Sequence, residues 1–101
     1  MKLLNISDRI LKKYKKRVKF NNDLDLIAIR KKLTRNFILG QYVYSDYNYK
    51  YVTRKYGKLY IQVNMKDLEI IDIQNRKTKG KINMFINPVE KNSLNKVFEL
   101  V

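Results

Sequence analysis

The apolar positions of the N-terminal part of the chain recur every three to four residues, which is the period of an amphipathic helix. In a first helix the predicted apolar stripe consists of Ile10, Leu11, Tyr14 and Val18. Ser7 precedes this stripe and is the predicted N-cap, because its hydroxyl can accept a hydrogen bond from the first turn. In a second helix the stripe consists of Leu26, Ile29, Leu33 and Phe37. Asn22 is the predicted N-cap of this second helix, and Gly40 is its C-terminal stop.

Between residues 41 and 73 the period changes to two, which is typical of half-buried strands. Tyrosine and β-branched residues alternate there with polar ones. Turn-forming segments interrupt the alternation at Ser45-Asp46, Lys55-Tyr56-Gly57 and Asn64-Met65-Lys66-Asp67. The alternation of Leu59, Ile61 and Val63 predicts the inward face of one strand. Apolar residues occur at both parities between 68 and 73, which predicts a central strand buried on both sides.

The last part of the chain predicts one more strand, with alternating Ile82, Met84 and Ile86, and a closing helix. The segment Asn87-Pro88-Val89-Glu90 combines an N-cap, a proline at the first helical position and a capping acid. Residues 1–101 therefore predict a single α+β domain. We expect two N-terminal basic helices, an antiparallel-rich sheet of about four to five strands and a short C-terminal helix.

The net charge of the chain indicates what kind of partner the domain binds. Lys and Arg number 23 against 9 Asp and Glu, a net charge of +14. Such an excess indicates a polyanionic partner, with nucleic acid first and an acidic membrane or acidic protein second. Codon usage in an AT-rich genome is the alternative explanation, since it raises the lysine and asparagine content without any partner.

Several kinds of chemistry are disfavoured by composition. The sequence contains no Cys and no His, so it lacks disulfides, the commonest metal ligand and the commonest general base. Asp67, Glu69 and Asp72 do not share one strand parity, so we expect no convergent carboxylates for metal catalysis. No metal and no cofactor is predicted. The sequence has neither an apolar run of about 18 residues nor a signal-peptide core, which predicts a cytoplasmic protein.

Tyrosines interleaved with lysines and arginines favour single-stranded nucleic acid, because the rings can stack on bases while the cations contact phosphates. The chain is therefore predicted to bind nucleic acid, with RNA favoured over DNA. The alternative is that the tyrosines pack on the sheet and that the cations are solvated. The predicted nucleic-acid-binding residues are Lys12, Lys13, Lys16, Arg17, Arg30, Lys31, Arg35, Tyr49, Lys50, Tyr51, Arg54, Arg76, Lys77, Lys79 and Lys81.

The predicted order of elements is a helix pair followed by a strand meander with a basic loop. This order is also found in a known protein family. Residues 6–18 look like the opening helix, and residues 57–63 and 68–73 look like the central paired strands, of a family of small nucleases. Over about residues 3–86 the chain resembles the endoribonuclease fold of RelE-type toxins and their barnase-like and colicin-like relatives. The resemblance implies metal-independent cleavage of ribosome-bound mRNA, and an acidic antitoxin as a protein partner.

Without His, an endoribonuclease would need Lys or Tyr as its base and Arg or Lys to stabilise the charged phosphorane. The candidate catalytic residues are Arg54, Lys55, Tyr56, Arg76 and Lys81. They can act together only if the turn at 52–58 and the loop at 75–81 lie on the same side of the sheet.

Two further functions fit a small basic domain. One is a phage or mobile-element inhibitor of a host nucleoprotein, of the anti-CRISPR type, which would compete for guide RNA or DNA surfaces. The other is a component of a ribosome or another ribonucleoprotein. Size and charge alone support these two alternatives.

Overall fold

The fold is an α+β arrangement of three helices and a mixed sheet, as the sequence predicts. The computed structural model describes residues 2–17, 25–46, 48–75 and 87–98, and for Arg17 the backbone only. The helices are α1 (Asp8–Arg17), α2 (Leu26–Leu39) and α3 (Pro88–Val97). The strands are β1 (Asn5–Ile6), β2 (Gln41–Ser45), β3 (Tyr51–Tyr56), β4 (Leu59–Asn64) and β5 (Glu69–Asn75). The strand predicted at Ile82–Ile86 lies outside the described residues.

The sheet has five strands in the order β1-β5-β4-β3-β2. Neighbouring strands are antiparallel, apart from the parallel pair of β1 with β5. The meander from β2 to β5 needs only short turns, because antiparallel neighbours can be joined by hairpins. Gly57 opens the two-residue turn between β3 and β4 with a φ of 61°, a left-handed conformation that glycine adopts without strain.

Side-chain caps define where the helices begin. The Ser7 hydroxyl accepts from the Ile10 amide at 3.3 Å, as predicted for α1. At α2 the predicted cap was wrong: the helix begins at Leu26, and the Asp25 carboxylate accepts from the third residue of the helix at 2.7 Å. A carboxylate suits the positive end of a helix dipole better than an amide does. Asn87 caps α3 and accepts from two amides of its first turn, which confirms the prediction there.

The core lies between one face of the sheet and the two N-terminal helices. The helices contribute Ile10, Tyr14, Ile29, Leu33 and Phe37. The sheet contributes Val52, Leu59, Ile61, Val63, Ile70 and Ile73. Burying one such side chain stabilises the fold by roughly 1.5–3 kcal/mol. The predicted inward face of β4 is confirmed. We refer to this covered side of the sheet as the helix face.

Two β-bulges, one at Val43 of β2 and one at Ile71 of β5, decide which side chains reach the helix face. In β5, Val63 pairs with Ile70 but Gln62 pairs with Asp72, so Ile71 is the extra residue. The bulge returns Ile73 to the same face as Ile70. The apolar residues at both parities therefore reflect a bulge, and the predicted burial of this strand on both sides was wrong.

The N-terminal helix also covers a free edge of the sheet. Strand β1 pairs only with the first two residues of β5, which leaves the rest of that edge without a neighbouring strand among the described residues. Arg9 of α1 donates to the Ile71 carbonyl at 3.2 Å, and Lys13 forms an ion pair with Asp72. These two contacts occupy backbone and side-chain acceptors that could otherwise pair with another chain.

Candidate nucleic-acid interface

The face of the sheet opposite the helix face, which we call the open face, is packed by none of the described helices. Both α1 and α2 contribute to the core on the helix face, and α3 packs on α2. Strand register arranges the open face in three rows. The first row consists of Gln41, Lys55, Tyr60 and Gln74. The second consists of Tyr44, Thr53, Gln62 and Asp72. The third consists of Tyr51, Asn64 and Glu69.

Each row contains one tyrosine, so three aromatic rings are distributed over the open face. The side chain of Tyr44 is 53% exposed, whereas Tyr51 and Tyr60 are half-buried. Between Tyr44 and Tyr60 lies a depression of about 100 Å³. The Gln62 amide donates to the Tyr44 hydroxyl at 3.4 Å, and the Lys50 ammonium lies 5.2 Å from the centre of the Tyr51 ring. Exposed rings beside amide groups can stack on bases and form hydrogen bonds with their edges.

One acid of the open face is balanced by a helix residue. The Lys13 ammonium lies 2.5 Å from Asp72, and both side chains are partly exposed. Partial burial by itself would raise the pKa of Asp72. The hydrogen bond and the charge of Lys13, with hydrogen bonds from Gln74 and from the Ile73 amide, hold that pKa below its usual value. Asp72 is therefore ionised at neutral pH, and Lys13 offsets its repulsion of a phosphate.

Three of the arginines predicted to bind nucleic acid have partners within the fold. Arg54 donates to the carbonyls of the last turn of α2 at 3.3 Å, and its guanidinium lies 5.0 Å from the Phe37 ring. Arg30 donates to the Leu4 carbonyl at 2.9 Å and to the Asn5 side-chain oxygen of β1 at 3.1 Å. Arg35 donates to the Asn95 side chain of α3 at 2.9 Å. All three connect one element to another, and their partners are neutral, so the guanidinium charges are not cancelled.

The predicted lysines of α1 and α2 differ in exposure. Lys12 and Lys16 are exposed on α1, whereas Lys13 pairs with Asp72 and Lys31 is half-buried on α2. The side chain of Arg17 and the whole of the predicted cationic loop lie outside the described residues. The loop residues concerned are Arg76, Lys77, Lys79 and Lys81.

Tyr49 lies in a loop and not on a strand. The hairpin between β2 and β3 closes at Asp46, whose carboxylate accepts from the Tyr51 amide at 2.9 Å. Tyr49 has a φ of 55° and is 67% exposed. Its left-handed backbone interrupts the strand alternation, although Tyr49 and Tyr51 are two positions apart in the sequence. Tyr49 lies just outside the open face, and Tyr51 lies within it.

The candidate catalytic residues are divided between the two faces. Arg54 and Tyr56 pair with Ile61 and Leu59, which belong to the core, whereas Lys55 pairs with Tyr60 on the open face. The described residues therefore do not bring Arg54 and Lys55 onto one side of the sheet. Asn75 pairs with Leu59, so β5 ends beside the Gly57 turn. Arg76 and Lys81 lie outside the described residues, and the endoribonuclease stays a prediction.

Sequence reasoning did not place Tyr44, Thr53, Tyr60 or Gln62 in the interface. Tyr60 and Gln62 alternate with Leu59, Ile61 and Val63, so strand parity alone already assigned them to the outward face. No sequence pattern indicated the face of Tyr44. A bulge at Val43 interrupts the alternation, so Tyr42 and Tyr44 do not share a face although they are two positions apart. Tyr42 lies opposite Arg54 and Tyr44 lies opposite Thr53, so the two tyrosines lie on different faces.

The fold and the open face define a small α+β protein with helices on one side of a tyrosine-bearing sheet. The described residues contain no group of three or more acidic, His or Cys residues placed to hold a metal ion. None of the described helices is both long enough and apolar enough to cross a bilayer.

The family model named YorE matches residues 4–97, and the chain belongs to this phage-associated family. No curated protein and no solved structure matches the chain. The resemblance to RelE-type toxins stays a prediction.

Proposed function

We propose that this protein binds single-stranded nucleic acid, with RNA favoured, on the open face of its sheet. One observation supports the proposal most: each of the three open-face rows places a tyrosine among amide, hydroxyl or cationic side chains. Tyr44 and Tyr60 flank a depression whose walls carry Thr53 and Gln62. Rings at such sites stack on bases without regard to sequence, and the polar groups can bond to base edges and 2′-hydroxyls.

Electrostatic attraction would come from cations around the open face and from the helices. Lys55 lies within the first row, and the exposed Lys12 and Lys16 extend the positive field along α1. The net charge of +14 adds a long-range attraction for any polyanion. Binding driven by such contacts releases counterions, so the logarithm of the affinity should fall linearly with the logarithm of the salt concentration.

A direct test is fluorescence anisotropy of a labelled single-stranded RNA, repeated with DNA of the same sequence and over a series of salt concentrations. Replacing Tyr60 by Leu should preserve folding and weaken RNA binding by about 1–3 kcal/mol, or roughly 5- to 150-fold. Tyr44→Leu should act in the same direction. Lys55→Gln should reduce the salt slope by about one. Binding that is absent at low salt, or independent of salt, would refute the proposal.

The matched controls are Tyr49→Leu in the β2–β3 loop and Lys66→Gln in the β4–β5 turn. Both side chains are exposed, and neither lies on the open face. Tyr49→Leu should cost less affinity than Tyr60→Leu, because Tyr49 lies beyond the three rows. Equal losses for the two tyrosine variants would extend the interface to the loop, as the sequence pattern predicts. A loss only at Tyr49 would remove the open face from the interface.

A second candidate is favoured by the phage-associated family: inhibition of a host nucleoprotein, of the anti-CRISPR type. The open face would then compete for RNA or DNA that the host complex exposes. This candidate predicts that the purified protein blocks nucleic-acid binding by a host complex, and that Tyr60→Leu relieves the block. Unchanged inhibition by this variant would assign the effect to another surface.

A further inference from the structure

The two edges of the sheet differ in how they are protected. At the β5 edge, β1 pairs with the first two residues, and Arg9 and Lys13 of α1 contact the residues that follow. Strand β2 forms the opposite edge, and among the described residues it pairs with β3 alone. A free strand edge presents unpaired amide and carbonyl groups, to which another strand can add. We refer to the outer side of Gln41–Ser45 as the β2 edge.

The side chains of β2 do not protect its edge. Natural proteins commonly blunt such an edge with lysine, with proline or with a β-bulge. Strand β2 has a bulge at Val43 but neither lysine nor proline. The exposed fractions of Tyr42, Val43 and Tyr44 are 57%, 39% and 53%. Tyr42 and Tyr44 lie on different faces, so apolar surface is available on both sides of the strand.

The β2 edge is also uncharged, in a chain with a net charge of +14. Residues 36–45 form the longest stretch of the sequence without a charged side chain. Two copies of so basic a protein repel each other, and like charges directly opposite one another destabilise a strand pair. Contact through β2 brings no charged side chain of one strand opposite one of the other. An acidic partner would gain no attraction from this neutral edge, whereas a second copy supplies a strand that is equally neutral.

We propose that this protein forms a homodimer in which the β2 edges of two copies pair antiparallel, with the two-fold axis near Val43. An axis that relates two adjacent copies of one strand within a sheet is perpendicular to that sheet, so it makes the strands antiparallel. The two five-stranded sheets would then form one continuous sheet, with both open faces on the same side. This interaction goes beyond nucleic-acid binding and does not depend on it.

The dimer should be weak, because five residues on each side give a small interface. Stable protein interfaces bury about 1,200–2,000 Å² in total, and the bulge at Val43 adds a twist that limits the length of regular pairing. Salt screens the repulsion between the two copies, so dimerisation should strengthen as the salt concentration rises. Two copies bridged by nucleic acid would show the opposite dependence, since salt weakens phosphate contacts.

The test is sedimentation velocity of nuclease-treated protein over a series of protein concentrations, at low and at high salt. The wild type should shift from monomer to dimer as the protein concentration rises, and more completely at high salt. Val43→Lys should weaken dimerisation by about tenfold or more, because the symmetry places the new charge in the interface twice. The matched control is Val89→Lys on α3, which makes the same chemical change at a side chain that is 72% exposed. It should alter dimerisation by less than about twofold.

Cysteine crosslinking locates the interface, because the sequence contains no cysteine of its own. Opposite residues of an antiparallel pair have Cα atoms about 4.5–5.5 Å apart, a separation that a disulfide can span. Under mild oxidation Val43→Cys should therefore give a covalent dimer, and Val89→Cys should stay monomeric. Circular dichroism melts establish that each variant is folded, and the crosslink remains informative even if Val43→Lys is destabilised.

Three results would overturn the proposal. One is wild-type protein that stays monomeric at every protein and salt concentration; if Val43→Lys then lowers the free energy of unfolding, the chain itself covers the edge. Another is a dimer that Val43→Lys leaves intact, or that Val89→Lys weakens equally, since a different surface or general repulsion would then explain it. The third is dimerisation that weakens as the salt concentration rises. All these measurements are made without RNA, so they are independent of the test of the open face with Tyr60→Leu.

Discussion

The two faces of the sheet differ in the burial of their side chains, and β4 shows this contrast most plainly. Ile61 and Val63 point into the core and are 0% exposed. Tyr60 and Gln62, which alternate with them along the strand, point to the open face and remain partly exposed. A change of one position along the strand therefore moves a side chain from the core, where it contributes to stability, to the surface that we propose for binding. Mutations at neighbouring positions should separate the two properties.

The cations show a parallel division between arginine and lysine. Arg30, Arg35 and Arg54 donate to carbonyl or amide oxygens that belong to other elements. Lys12 and Lys16 extend from α1 into solvent. A guanidinium presents several fixed donors and is less strongly hydrated than an ammonium, so it is better suited to sites between elements. High net charge alone therefore does not reveal which cations face a partner.

The largest expected effect compares adjacent residues of β4. Replacing the buried Ile61 by Ala should lower the free energy of unfolding by about 2–5 kcal/mol, because it removes packed atoms and leaves a cavity. Replacing Gln62 by Ala should change the free energy of unfolding by no more than about 0.5 kcal/mol. Urea denaturation followed by circular dichroism measures both. Similar losses for the two variants would mean that the open face is covered by packing that stabilises the fold.

A smaller effect compares adjacent residues of β3. Arg54→Met should lower the free energy of unfolding by about 1–3 kcal/mol, because the last carbonyls of α2 lose a partly buried donor. Lys55→Met changes the neighbouring open-face residue and should cost less than about 0.5 kcal/mol. Urea denaturation again supplies the measurement. Should Arg54→Met prove neutral, the contact of its guanidinium with α2 would have no net stabilising effect.

The smallest effect concerns the pair that joins the faces, Lys13 with Asp72. The folded-state pKa of Asp72 lies below its unfolded value, so the pair stabilises the fold above the unfolded pKa. This stabilisation should be lost as the pH falls through the unfolded and then the folded pKa. Both side chains are partly exposed, so its size should be about 0.2–1 kcal/mol. Wild type and Asp72→Asn should differ in stability at pH 7 and converge at pH 2, whereas a constant difference would contradict this account.

The parts of the structure that follow from local pattern could be predicted, and those that depend on contacts between strands could not. The alternation of Leu59, Ile61 and Val63 gave the inward face of β4, and Asn87-Pro88 gave the start of α3. The bulges at Val43 and Ile71 each add a residue opposite one partner, and a single strand's sequence does not contain that register. For this reason alternation alone does not give the face of Tyr44, and the predicted burial of residues 68–73 on both sides was wrong.

The candidate interface shows the same limit. Composition and the interleaving of tyrosine with cations pointed to nucleic acid, and this remains the function that we propose. The tertiary partners of Arg54 lie in α2, far from it along the chain, so nothing near Arg54 in the sequence indicated that its guanidinium would contact a helix end. Tyr49 has a left-handed backbone, and its neighbours predicted a strand instead.

The most direct test of the central claim is to map where RNA contacts the folded protein. Ultraviolet crosslinking to a short single-stranded RNA with a 5′-hydroxyl, followed by mass spectrometry of the peptides, identifies the contacting residues. Our account predicts crosslinks at Tyr44, Tyr51 and Tyr60, which Tyr60→Leu reduces while the fold is retained. Crosslinks confined to the α1 lysines, with the tyrosines of the open face unmodified, would contradict it.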